Sequence, residues 1–218
     1  MKEIFRNKDA FKVFHLFDPN FKPGGMLKGD KFLAFVEETM QAQSFDELQI
    51  QFKAVATDFW RREAVVFDSG DLLTAIRASM AIPYLFTPIV EDDRVLVDGG
   101  LVNNLPYNLL PPECDITIAV DISGDVTTPR NKIPSPMDAM FFTYQVMMDA
   151  MSNQKIQRIP PDIHVRAPIQ DVEILDFHKA QEIYEQGLAS KDDFREKLTA
   201  LLERRGGIEW FKRQIRKL

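Results

Sequence analysis

The sequence predicts an α/β domain in which helices cover a mainly parallel sheet, and three observations carry that reading. Short apolar runs bounded by turn residues alternate with amphipathic helical stretches, the pattern of layered α/β domains. The segment Arg94-Val95-Leu96-Val97-Asp98-Gly99-Gly100 ends an apolar strand in an aspartate with two glycines directly behind it. That sets a carboxylate at the C-terminal lip of a strand, where open α/β sheets place their active sites. The chain has 218 residues, 45% apolar and 28% charged, enough for one packed core or for a domain with a helical appendage.

In chain order, Ile4, Phe5, Phe11, Val13, Phe14, Leu16 and Phe17 recur at amphipathic helical spacing. Residues 18–25, with two prolines and a Gly-Gly pair, form a loop by their turn chemistry. Gly29-Asp30 opens a helix with Phe32, Leu33, Phe35 and Val36 on its inner side, and residues 44–47 resemble a second helix cap. Residues 52–58 and 64–67 read as strands. Residues 71–80 read as a short helix stopped ahead of Pro83, and 94–97 and 116–121 as two further strands. The Pro-rich stretch 127–136 reads as a linker or surface loop, followed by a Met-rich helix over 137–158. A short strand is expected at 163–166, helical sequence to Arg204, a break at Gly206-Gly207 and a last short helix. The chain divides on this basis into residues 1–126 and 127–218.

The bulk numbers exclude several classes. Net charge is −6 and the isoelectric point about 5.2, which argues against a general nucleic-acid binder. The lone Cys114 forms no internal disulfide, so a reducing, cytoplasmic compartment is the simplest expectation. No apolar run approaches the length of a membrane span, and the first residues lack a secretory apolar core. His15, His164 and His178 are scattered and none pairs with another at ligand spacing, so neither a metal nor a cofactor is implied. Asp92-Asp93 reads as a solvated turn, and Asp18 and Asp58 as turn or strand-end residues that could face a cleft. Ser69, Ser79 and Ser123 lack the strand–Ser–helix context of a nucleophile elbow, and no Gly-x-Ser-x-Gly occurs anywhere.

Several segments together resemble the C-terminal two-thirds of patatin-like phospholipases. They are Lys22-Pro23-Gly24-Gly25-Met26-Leu27-Lys28-Gly29, residues 52–58, residues 69–83, the Asp98-Gly99-Gly100 turn with Asn103-Asn104-Leu105-Pro106, and residues 115–121. The resemblance spans roughly residues 18–125, and residues 180–187 match the family's end less specifically. It implies a three-layer α/β/α sandwich, here N-terminally truncated and followed by a helical C-terminal segment. It also implies a lipid acyl hydrolase with a Ser–Asp dyad, in which serine attacks an ester carbonyl and aspartate takes its proton directly. Asp98 matches the dyad aspartate and Gly99 and Gly100 its turn. The nucleophilic serine and the oxyanion glycine run would lie upstream of Met1. Burial suits the role, because a drier pocket raises a carboxylate's proton affinity. An Asp-Gly pair also serves as a plain turn.

Without its own serine this chain is expected to be inactive alone and poorly stable, since missing central strands would expose sheet edges. Three arrangements remain open: a truncated reading frame of an active hydrolase, one subunit of a split hydrolase, and a non-catalytic lipid-binding or interaction module. Residues 208–218 combine Ile208, Trp210, Phe211, Ile215 and Leu218 with Lys212, Arg213, Arg216 and Lys217. A basic amphipathic helix of this kind either lies peripherally on an anionic membrane or packs on the domain. The resemblance implies a lipid or ester substrate as partner, with oligomeric state and regioselectivity left open.

Overall fold

The computed structural model describes residues 18–20, 24–40, 42–124, 133–172, 176 and 179–205. The expected helix at the start of the chain, the closing helix over 208–218, most of the 127–136 linker, His15 and His178 lie outside the described residues. The described chain forms two compact units that divide between Pro106 and Tyr107.

The first unit is built on a four-stranded sheet in the order β3-β2-β6-β5, with β2 at Ala54–Asp58, β3 at Glu63–Phe67, β5 at Ile89–Glu91 and β6 at Arg94–Asp98. All three ladders are antiparallel. Short connections dictate this for β2·β3 and β5·β6, while β2 and β6, separated by residues 59–93, pair antiparallel without one. Residues 59–62 join β2 to β3 and Asp92-Asp93 join β5 to β6, and links this short allow only hairpins. The parallel pairing expected from the sequence is found between β1 (Gly25–Leu27) and β4 (Tyr84–Phe86), and between two strands of the second unit. Each of those pairs is joined by a connection that contains helix, as parallel pairing requires.

Helix α1 spans Asp30–Thr39, and its Phe32, Leu33, Phe35 and Val36 are half-buried as the spacing predicts. Residues 45–47 form only a single 3-10 turn. Helix α2 (Leu72–Ser79) starts at Asp71, whose side chain accepts the Thr74 N–H at 2.6 Å, a cap that satisfies one of the first turn's orphan donors. It buries Leu72, Ala75 and Ala78 against Ala54, Ala56 and Leu96. Alanines on both sides of this interface let the helix approach the sheet closely, which fixes the loop after α2 against the end of β6. A single turn of helix, α3 (Gly100–Asn103), follows β6 directly.

The second unit carries the parallel pair β7 (Ile118–Asp121) and β8 (Ile163–Arg166), linked through the 23-residue helix α4 (Pro136–Arg158). Ser135 and Asp138 close a reciprocal capping box on α4, with Pro136 in its first turn. Helices α5 (Ala180–Leu188) and α6 (Lys191–Arg204) complete it. Asp162 ties it together: it accepts the Thr117 N–H at 2.8 Å and pairs with Arg205 at 2.8 Å. No helix among the described residues is long and apolar enough to cross a membrane.

Candidate active site around Asp98

Asp98 is the last residue of β6 and is half-buried, with Leu96 and Val97 buried ahead of it and Gly99 and Gly100 buried behind. Its backbone is held from three directions. It stands opposite Ala56 of β2, its N–H donates to the Ala81 carbonyl at 2.9 Å, and its carbonyl accepts the Thr57 hydroxyl at 2.8 Å. Its carboxylate Oδ1 accepts the Gly100 N–H at 2.9 Å. The strand therefore ends in a side chain whose direction is set by the chain on both sides of it.

The two glycines have separate duties. A Cβ at Gly99 would fall on the Val55 carbonyl oxygen, so no side chain fits there and the turn lies directly on β2. Gly99 then accepts the Val102 and Asn103 N–H groups at 3.1 and 2.8 Å as α3 begins, while Gly100 supplies the N–H to the carboxylate. The arrangement is both an Asx-type turn and a half-buried carboxylate presented at the lip of a strand. Such a group can take up a proton from a donor brought beside it.

The other acidic residues serve the framework. Asp18 is buried and caps α1 from a distance, accepting the Gly29, Asp30 and Lys31 N–H groups at 2.8, 2.7 and 3.1 Å. Asp58 is buried at the end of β2 and accepts the Trp60 and Arg61 N–H groups and the Arg61 guanidinium at 2.7 Å. Arg61 reaches on to Asp93 at 2.5 Å, joining the two hairpin tips. Its guanidinium holds both carboxyls below the ordinary carboxylate value.

None of the candidate serines sits in an elbow. Ser79 is the half-buried last residue of α2, Ser69 lies in an exposed bend, and Ser123 follows β7 with its N–H on Asp121 Oδ1. In the second unit His164 Nε2 lies 3.8 Å from Asp121 Oδ2, and Cys114 is exposed. Among the described residues no group of His, Cys, Asp and Glu is arranged to hold a metal ion.

Two residues near the site escaped the sequence reading. Arg77 is buried in α2, donating to the Lys28 and Thr87 carbonyls and lying 6.0 Å from the centre of the Phe86 ring. Burial pushes its guanidinium down, against the pull of Asp30 and Asp18. Arg77 lies off the Ala75–Ala78 stripe of α2, so helical spacing carried no signal for its burial. Tyr84 holds a left-handed backbone with φ of 68°, which nothing in an aromatic residue announces.

The family model of patatin-like phospholipases matches residues 1–111. An uncharacterised NTE family protein of Mycobacterium tuberculosis is 36% identical over 118 residues, covering 54% of this chain and 33% of that protein. The lysophospholipase NTE1 of Kluyveromyces lactis is 28% identical over 195 residues, covering 78% of this chain and 13% of the yeast protein. The lysophospholipase NTE1 of Candida albicans is 28% identical over 203 residues, covering 82% and 14%. The chain thus spans a third or less of the length of these relatives. With a family match over half its length, and an α/β architecture consistent with it, the chain belongs to the patatin-like phospholipase family.

Proposed function

We propose that this chain carries the aspartate half of a lipid acyl hydrolase. Asp98 accepts the proton of a serine as that serine attacks a lipid ester, and it returns the proton to the leaving alcohol. When the acyl-enzyme is hydrolysed, Asp98 takes a proton from the attacking water and passes it to the departing serine oxygen, which restores both groups. The serine itself comes from outside these 218 residues, on a Gly-x-Ser-x-Gly elbow that this sequence does not contain. Gly99 and Gly100 serve Asp98 by keeping the turn flush with β2 and by donating an N–H to the carboxylate.

The observation that carries the reading is the placement of Asp98. Family membership supports a lipid substrate, and the one family aspartate matched by motif is the one held half-buried at a strand lip by Ala56, Thr57 and Ala81. The yeast relatives are named lysophospholipases, so a lysophospholipid is the substrate class to try first. The test is hydrolysis of lysophosphatidylcholine by the full-length protein. The Asp98→Asn variant, near-isosteric but unable to accept a proton as readily, is expected to lose nearly all turnover while keeping its melting temperature within a few degrees. Turnover that survives the substitution removes Asp98 from the mechanism.

A further inference from the structure

Thr57 is a polar residue whose burial in β2 is not explained by packing. It is 3% exposed on one of the two central strands of the four-stranded sheet. Residues directly opposite one another share a face of a sheet, and neighbours along a strand alternate between faces. Thr57 stands opposite Ala64 of β3 and Val97 of β6, and Val55 lies on the same face along β2. All three are apolar. A valine would match this position in shape and would bury no hydroxyl, a group that costs free energy in an apolar setting unless it is hydrogen-bonded. Asp58, the other polar residue of the strand, is accounted for by Arg61.

A hydroxyl has one proton to donate, and that of Thr57 goes to the Asp98 carbonyl at 2.8 Å. Asp98 stands opposite Ala56, so its side chain and that of Thr57 leave the sheet on different faces. Thr57 therefore meets Asp98 through the backbone and not through the carboxylate. The carbonyl it holds belongs to the planar peptide unit between Asp98 and Gly99, so the bond sets ψ of Asp98. On the other side, the Asp98 N–H on the Ala81 carbonyl at 2.9 Å holds the preceding peptide unit. Two fixed planes fix the Cα–Cβ direction between them, and the Gly100 N–H on Oδ1 at 2.9 Å then orients the carboxylate. The Ala81 and Gly100 bonds use backbone groups that no substitution removes. The Thr57 bond is made by a side chain, so its contribution can be measured.

We propose that Thr57 is a positioning residue for Asp98, an inference that rests on the reading of Asp98 as the proton acceptor of a lipid hydrolase. Proton transfer needs donor and acceptor at hydrogen-bond distance, and a misplacement of about 1 Å costs on the order of a hundredfold in rate. The Thr57 hydroxyl holds the Asp98–Gly99 peptide in the orientation that presents the carboxylate at the strand lip. Thr57 is buried and meets no substrate itself. It acts on the rate of proton transfer and not on lipid binding.

The experiment measures kcat and KM on lysophosphatidylcholine, and melting temperature, for the full-length wild-type protein, Thr57→Val, Thr57→Ser and Asp98→Asn. Thr57→Val keeps the shape and removes the donor, while Thr57→Ser keeps the donor and removes a methyl group. Both are expected to melt about 2–6 °C below wild type, the first through the stranded carbonyl and the second through lost packing. Activity separates them. Thr57→Val is expected to lose about 10–100-fold in kcat with KM within about twofold of wild type, and Thr57→Ser to keep kcat within about threefold. Wild-type kcat in Thr57→Val overturns the inference, and so does a loss confined to KM. A Thr57→Ser as slow as Thr57→Val, or a Thr57→Val that does not fold, overturns it too, because the threonine would then be structural. Asp98→Asn tells the two readings apart. Turnover that survives in Asp98→Asn, or a wild type without hydrolysis, removes both. An inactive Asp98→Asn beside a fully active Thr57→Val removes the role of Thr57 alone.

Discussion

Asp98 is informative because its surroundings leave it little freedom. Its N–H, its carbonyl and one carboxylate oxygen all have partners within 2.9 Å. Gly99 beneath it has no room for a methyl group against Val55. Gly99→Ala is therefore expected to destabilise the protein by about 1–3 kcal/mol, the usual cost of forcing atoms into a filled space, measured as a shift of the urea midpoint. A second residue-level prediction concerns Asp58. Arg61 holds its carboxyl below the ordinary value, so the ion pair contributes stability above the carboxylate range and loses it as pH falls through the lowered value. The gap in melting temperature between wild type and Asp58→Asn should be open at pH 7 and close below about pH 4. A gap that persists undiminished in acid would remove the charge from the account. The sequence marked Asp98, Gly99 and Gly100 through motif context, and it read Asp18 and Asp58 as turn or strand-end residues. It gave no sign that Asp18 caps a helix eleven residues away in sequence, because that contact depends on the tertiary path of the chain.

Elements were legible where local chemistry decides them. Asp71 ahead of an apolar helical period and Pro83 beyond it bracketed α2, and the Ile163–Arg166 strand was similarly plain, whereas Ser135 and Pro136, read as the end of the linker, are the cap and first residue of α4. Strands β1, β4 and β5, three residues each, carry too little periodicity to be read. Link length set the antiparallel direction of β2·β3 and β5·β6; the antiparallel β2·β6 pair at the centre of the sheet has no short link that the sequence could have shown. At this scale Arg77 is the residue that joins elements, since its guanidinium serves carbonyls after β1 and β4 from within α2. Arg77→Leu leaves both carbonyls without their donor and is expected to cost about 2–4 kcal/mol. Both bonds leave the one nitrogen Nη2, so Arg77→Lys, whose ammonium carries three donors, should recover part of that loss, short of the guanidinium plane that lies by the Phe86 ring. Urea unfolding of the three proteins checks it, and an Arg77→Leu variant as stable as wild type would contradict the two-carbonyl role.

Across the whole molecule, the family resemblance rested on segments from the first unit and on residues 115–121 of the second, and the family match over residues 1–111 agrees with it. The candidate carboxylate and the helix α2 packed on its sheet both belong to the unit that ends at Pro106. The proposed nucleophile left only a missing motif in the sequence, since no serine of these 218 residues has the Gly-x-Ser-x-Gly context. The central claim is that Asp98 is the proton acceptor for a serine held elsewhere. The most direct measurement is the kcat/KM of the full-length protein on lysophosphatidylcholine, with and without Asp98→Asn, alongside their melting temperatures. The account predicts a loss of at least about 10²–10⁴-fold at nearly unchanged melting temperature. Wild-type kcat/KM in Asp98→Asn, or no ester hydrolysis by the wild-type protein, would contradict it.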